Sequence, residues 1–195
     1  GKFKGPAFKK GHILKSEDIP RLLDMGKRNV YVMNLQDDFV HENEAAERIA
    51  RAAAGDGINF TGPSEGRVNL IAGFQGLLKV NVQALHQINS VEETAFATLH
   101  TDQQVTEDTR VAGVRIIPLA TKKDKIEIIE DICRNNFPVI TVKPFRSLKV
   151  GVITTGSEVY HGRIQDKFGP VLKEKFGKLG CHIIKQVFVS DEIDM

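Results

Sequence analysis

The stretch that decides the fold reads KVGVITTGSEVYHGRIQDKFGPVLKEKFGKLGCHIIKQVFV, residues 149–189. KVGVITT is a continuous apolar run, of the kind buried on both faces of a parallel sheet. TTGSEVYHGRIQD is a polar turn. Beyond it Phe168, Val171, Leu172, Phe176 and Leu179 recur with helical spacing, lysines and Glu174 lying opposite. Pro170 falls in the first helical turn, where its missing N–H costs little, and Gly180 closes the helix. HIIKQVFV then reads as a second strand, so the order is strand–helix–strand, with a right-handed crossover expected.

Working outward, residues 144–148 gather Pro, Lys and Arg between two apolar runs, and we expect a domain boundary there. Upstream, Ser16 is placed to cap a helix over SEDIPRLLDMG, with Gly26 as its stop. NVYVMNL (29–35) predicts a strand, and Glu42 to Ala54 predicts a helix ending at Gly55. Between about 58 and 120, short β-prone runs separated by Gly, Asp, Thr and Gln predict a compact β-rich unit, interrupted by a short helix at VQALHQIN. Its pattern resembles barrel-sandwich modules of the lipoyl and biotinyl type, without a lysine in the tight turn. KKDKIEIIEDICRNN is an amphipathic helix with Ile126, Ile129 and Ile132 on one face, and FPVITVKPF a strand or extended linker.

The resulting fold class is mixed α/β: an N-terminal α+β region (1–147) with an inserted β-rich module (about 58–120), then the first βαβ unit of a parallel-sheet domain (148–195). A single βαβ unit cannot cover both faces of a parallel sheet. The chain closes on SDEIDM, where Ser190, Asp191 and Glu192 suit the start of a further helix. It opens on GKFKGPAFKKG without a Met. We therefore expect a truncated chain, a piece of a longer protein that is inactive by itself.

Composition narrows the function classes. The 195 residues carry 27 Lys and Arg against 25 Asp and Glu, too even a balance to drive binding to nucleic acid or an anionic membrane. Lys2, Lys4, Lys9, Lys10 and Lys15 crowd the first segment and read as a solvated terminus. No apolar run approaches the roughly 20 residues that span a bilayer. Cys133 and Cys181 lie in amphipathic segments and read as buried thiols of a cytoplasmic protein. The histidines show no ligand-pair spacing, so no zinc site is expected, and no Walker loop occurs.

The polar turn is the candidate site, because ligands collect beyond the carboxyl ends of parallel strands. Gly156 permits close backbone approach, Thr154, Thr155 and Ser157 supply hydroxyls, and the following N–H groups favour an anion such as phosphate. Glu158 and Asp166 are two carboxylates at the same edge, able to hold Mg²⁺ or the amino-imino edge of a pterin. The same residues also suit a plain strand-to-helix connection, with Thr-Gly-Ser as turn chemistry, Asp166 as a helix cap and His161 as a solvated loop residue.

In this order the motifs resemble the molybdopterin-binding domain family of molybdenum cofactor biosynthesis. Members have an apolar strand, a TGDE-type turn, a spacer to G-x-I-x-D, and an amphipathic helix ending in Gly. Here these are TTGSEV, GRIQD (162–166) and the helix to Gly180. The upstream KKGHILKSEDIPRLLDMGKRNVYV resembles a stretch that precedes this domain in the molybdopterin molybdotransferases. Residues 33–148 lie between the two here, which suggests an inserted module.

The resemblance implies that Thr155, Gly156, Ser157 and Glu158 line the pterin-phosphate pocket, with Asp166 at the helix start nearby, and that molybdopterin or its adenylylated form is the ligand, with Mg²⁺ as helper; we expect Thr154 as a further ligand contact and Glu158 and Asp166 as the catalytic carboxylates. It identifies no metal ligand. The implied activity is metal insertion by a transferase; we expect a homodimer as the assembly. One departure stands out: Ser157 occupies a position where the molybdotransferases commonly have Asp, which favours a non-catalytic binder as the alternative. For residues 1–145 the alternative is a structural or dimerisation module. The family's second Gly-rich phosphate motif is expected downstream of residue 195.

Overall fold

The computed structural model describes residues 7–8, 12, 14–30 and 37–191. The chain divides into two compact units, Gly1–Lys143 and Pro144–Met195. The mixed α/β class holds, with the parallel strand pair confined to the second unit.

In the first unit a 3-10 turn at Ser16–Asp18 leads into α1 (Ile19–Asp24). Ser16 lies inside this turn rather than capping it. The cap is made from the other side, by the Asp18 carboxylate accepting the Lys15 N–H at 3.0 Å. Helix α1 does close at Gly26. With φ +75°, that residue lets Gly26 N donate to Leu23 O and Lys27 N to Leu22 O, the paired bonds of a Schellman stop. The strand expected at 29–35 lies, for residues 31–35, outside the described residues. So do Lys2, Lys4, Lys9 and Lys10, whereas Lys15 is exposed and lies 3.7 Å from Glu17.

The body of this unit begins with β1 (Phe39–His41), α2 (Glu42–Ala53), β2 (Ile58–Phe60), β3 (Arg67–Ala72), β4 (Gly76–Val80) and α3 (Val82–Asn89). It continues with β5 (Thr94–Thr98), β6 (Gln103–Val105), β7 (Arg110–Ile116), β8 (Ala120–Lys122), α4 (Lys123–Asn135) and β9 (Ile140–Pro144). An antiparallel sheet of order β2-β3-β7-β5 is the largest element. A second sheet has order β6-β4-β9, and β1 pairs with β8.

Alternation along β3 puts Val68, Leu70 and Ala72 inside, where α2 packs over the sheet. The second sheet adds Leu78, Val80, Val105, Ile140 and Val142 to the same core. Helix α2 turns Ala45, Ala46, Ile49, Ala50 and Ala53 inward, and this small-residue stripe lets α4 approach with Ile126, Ile129 and Cys133. Ile132 is only partly buried against the same core. On the half-exposed rim Arg48 grips Glu130 through Nε–Oε1 at 2.9 Å and Nη2–Oε2 at 2.8 Å, tying α2 to α4. Gly55 leaves the helix extended rather than closing it: its N–H goes to Ile140 O at 2.8 Å, joining α2 to the β9 strand.

The second unit contains β10 (Lys149–Thr155), α5 (Ser157–Tyr160), α6 (Phe168–Lys178) and β11 (His182–Val189). Strands β10 and β11 pair in parallel, with α6 packed against both. Burial of β10 on both faces does not hold. Val150, Val152 and Thr154 are half-buried while Gly151, Ile153 and Thr155 are exposed, Ile153 at 71%. One helix covers one face, and alternation does the rest. The inward face of α6 is also offset from the expected one. Gly169, Leu172, Phe176 and Leu179 face the strands, while Phe168 is 71% exposed. Gly180, at φ +74°, ends α6 in a second Schellman stop, with Cys181 N donating to Phe176 O at 2.8 Å.

Candidate functional site: the turn after β10

The turn starts where β10 runs out. Gly156 N donates to Val189 O at 3.1 Å, carrying the parallel pairing one residue past the strand. Gly156 itself adopts φ +145°, ψ 120°, a backbone that side-chain-bearing residues rarely reach. That conformation reverses the chain into α5, where Tyr160 N returns to Gly156 O at 2.9 Å and His161 N to Ser157 O at 2.9 Å. His161 is exposed, its ring edge-on to Tyr160.

Ser157 begins α5 with its polar groups engaged. Its N–H donates to Asp191 Oδ1 at 2.9 Å, its Oγ donates to the same carboxylate oxygen, and Ser190 Oγ lies 3.0 Å from Ser157 Oγ. The Ser157 bonds hold the Asp191 carboxyl below the usual carboxylate range. An acidic oxygen thus sits on a main-chain N–H of the turn.

Asp166 occupies a different environment. Gln186, from the middle of β11, donates Nε2 to Asp166 Oδ2 at 2.7 Å and to Thr154 Oγ1 at 3.0 Å. The opposite side of the Asp166 carboxylate accepts Phe168 N at 2.9 Å and Gly169 N at 3.2 and 3.1 Å, capping α6. The Gln186 bond, followed by the two backbone N–H bonds, lowers the Asp166 pKa against the opposing effect of desolvation. Gly169 is buried, and a Cβ there would run into both the Asp166 carboxylate and the Gln186 amide.

The structure therefore brings Thr154 and Asp166 together through Gln186, and joins Ser157 to Ser190 and Asp191. Thr155 and Glu158 are exposed at the strand end and on α5. The two carboxylates differ in availability. Both oxygens of Asp166 already accept N–H groups, whereas the Glu158 carboxylate is exposed. Among the described residues no group of three or more His, Cys, Asp or Glu could hold a metal ion. Sequence reasoning missed Gln186 and the Ser157–Asp191 pairing. A lone Gln in the apolar run HIIKQVFV was the available signal for the first.

Comparison with known families falls on this unit. Residues 151–195 match the family model described as "Probable molybdopterin binding domain". The C-terminal segment is thus similar to a molybdopterin-binding domain of molybdenum cofactor biosynthesis, in agreement with the motif order of the turn. Residues 1–34 match a second family model, described as "Domain of unknown function (DUF8806)". No curated protein and no solved structure matches the chain. No helix of the described residues is long and apolar enough to cross a membrane.

Proposed function

We propose that the turn after β10 binds molybdopterin or its adenylylated form, and that the protein carrying it inserts molybdate during cytoplasmic cofactor biosynthesis. The observation that carries this reading is the glycine-only turn at Gly156, at the carboxyl end of a parallel strand, inside the segment that matches the family. In the proposed pose the ligand phosphate meets the Ser157 N–H in place of the Asp191 carboxylate. Thr155 and Ser157 offer hydroxyls. Glu158 faces the ligand and, with phosphate oxygens, is the residue that would hold Mg²⁺, which would offset charge as the nucleotide leaves. Asp166 is a positioning residue: through Gln186 it fixes Thr154 and the start of α6.

A second reading, a non-catalytic binder, is favoured by Ser157. This position carries a hydroxyl in a TGDE-type turn, and that hydroxyl is already paired with Ser190 and Asp191. The experiment is to incubate the full chain with adenylylated molybdopterin, molybdate and Mg²⁺, following bound ligand and released nucleotide separately. Release of nucleotide supports insertion, saturable binding without release supports the binder, and no binding contradicts both. For the first unit we propose a homodimerisation role, checked by concentration-dependent sedimentation of the full chain. A monomer at every concentration would contradict it.

A further inference from the structure

The outer face of the β2-β3-β7-β5 sheet, in the first unit, carries a second set of chemistry. Arg67 on β3 and Arg115 on β7 are direct cross-strand partners. Like charges set opposite each other destabilise a sheet unless something offsets them. Among the described residues neither forms an ion pair, and neither does Arg110.

Arg110 reaches this face through a backbone irregularity. Strict alternation from Arg115 and Gly113 would turn Val111 outward and Arg110 inward. Instead the register steps from Leu70↔Ala112 to Ile71↔Arg110, leaving Val111 as an extra residue of a bulge. Val111 is fully buried and Arg110 is exposed. Bulges re-aim side chains in this way. The result is three guanidinium groups around one shallow depression of about 290 Å³.

Beside Thr98 and Leu99, its lining includes the small residues Ala95 and Ala97 of β5 and Gly113 of β7. A Cβ at Gly113 would lie 3.3 Å from Arg67 Nη2, so the guanidinium of Arg67 rests over this bare stretch of backbone. The buried amide oxygen of Asn69 lies beside the same point with no hydrogen-bond partner. No aromatic side chain lines the depression, so stacking of a ligand ring falls to the planar guanidinium of Arg67. A stretch of small residues, an arginine lying across it and further arginines at the rim suit a compact planar ligand bearing phosphate.

We propose that this sheet face is a binding site for a phosphate-bearing heteroaromatic ligand of mononucleotide size, with Arg67, Arg115 and Arg110 as its anion contacts. The site belongs to the first unit and does not depend on the molybdopterin reading of the second.

The test titrates the full chain with AMP, inorganic phosphate, adenosine and a short single-stranded oligonucleotide, following backbone amide resonances. AMP is expected to shift Ala95, Ala97 and Gly113, with adenosine and phosphate each binding at least about tenfold more weakly. Arg67→Ala and Arg115→Ala should each weaken AMP by about tenfold or more. Arg115→Ala should leave the melting temperature unchanged or raised, because it relieves the repulsion with Arg67. Four results would overturn the proposal: no shifts with AMP; phosphate as tight as AMP, meaning an adventitious anion only; an oligonucleotide tighter than AMP at the same residues; or arginine variants that bind AMP like the parent.

Discussion

Gln186 reaches from β11 to Asp166, 2.7 Å from amide nitrogen to carboxylate oxygen, and the same nitrogen lies 3.0 Å from the Thr154 hydroxyl. One side chain thus joins both strands to the start of α6. Gln186→Leu keeps the bulk and removes the donor. We expect a lower melting temperature and faster amide exchange at Phe168 and Gly169. Unchanged exchange at these two amides would contradict the link.

The same network has a pH signature. Because the Asp166 pKa is lowered in the folded chain, its contribution is present above the ordinary value of 3.8 and is lost as pH falls through the depressed one. The α6 amides should therefore exchange faster below that range. Asp166→Asn should flatten the dependence.

In the first unit, Arg48 and Glu130 form a two-point ion pair on a partly shielded rim. Glu130→Gln should cost about 0.5–1 kcal/mol at neutral pH by urea unfolding. The Arg48 hydrogen bonds lower the folded-state Glu130 pKa, so this contribution is fully present above 4.5. It should fade as pH falls through the depressed value, and the gap between parent and variant should close there.

Cys133 is fully buried between α2 and α4, and burial pushes its thiol up to about 11. We expect no reaction with a disulfide reagent at pH 8 in the folded chain, and full reaction in denaturant. Labelling of folded Cys133 at the rate of a free thiol would contradict this packing.

The legible and illegible parts of the fold separate by physical cause. Helices α2, α3 and α4 and both Schellman stops were readable, because apolar spacing and Gly after the last turn are local signals. Burial of β10 was not. A run such as KVGVITT states what a strand could bury, while actual burial depends on which neighbours cover it, and among the described residues α6 covers one face. Of the inward face expected for α6, Leu172, Phe176 and Leu179 face the strands, while Phe168 and Val171 are exposed. Gly169 faces the strands as well, selected by the close approach of Asp166 and Gln186. The site residues were legible as a turn, from Thr-Gly-Ser and the following Asp. Their partners Gln186, Ser190 and Asp191 lie some twenty or more residues away across a strand pairing that no local pattern specifies. The bulge at Val111 is a further example, because nothing in TRVAGVRI marks the residue that is squeezed out.

The measurement closest to the central claim is equilibrium binding of molybdopterin to the full chain, comparing the parent with Gly156→Ala and Glu158→Gln. An alanine Cβ at Gly156 would meet only Glu158 Oε2, at 3.9 Å, so the damage comes from the φ of +145° and should amount to about 1–3 kcal/mol of backbone strain at the turn. The account predicts saturable binding by the parent, weakened at least about tenfold by each variant, with the urea transition of the first unit unchanged. An absence of saturable binding, or two variants that bind like the parent, would contradict it.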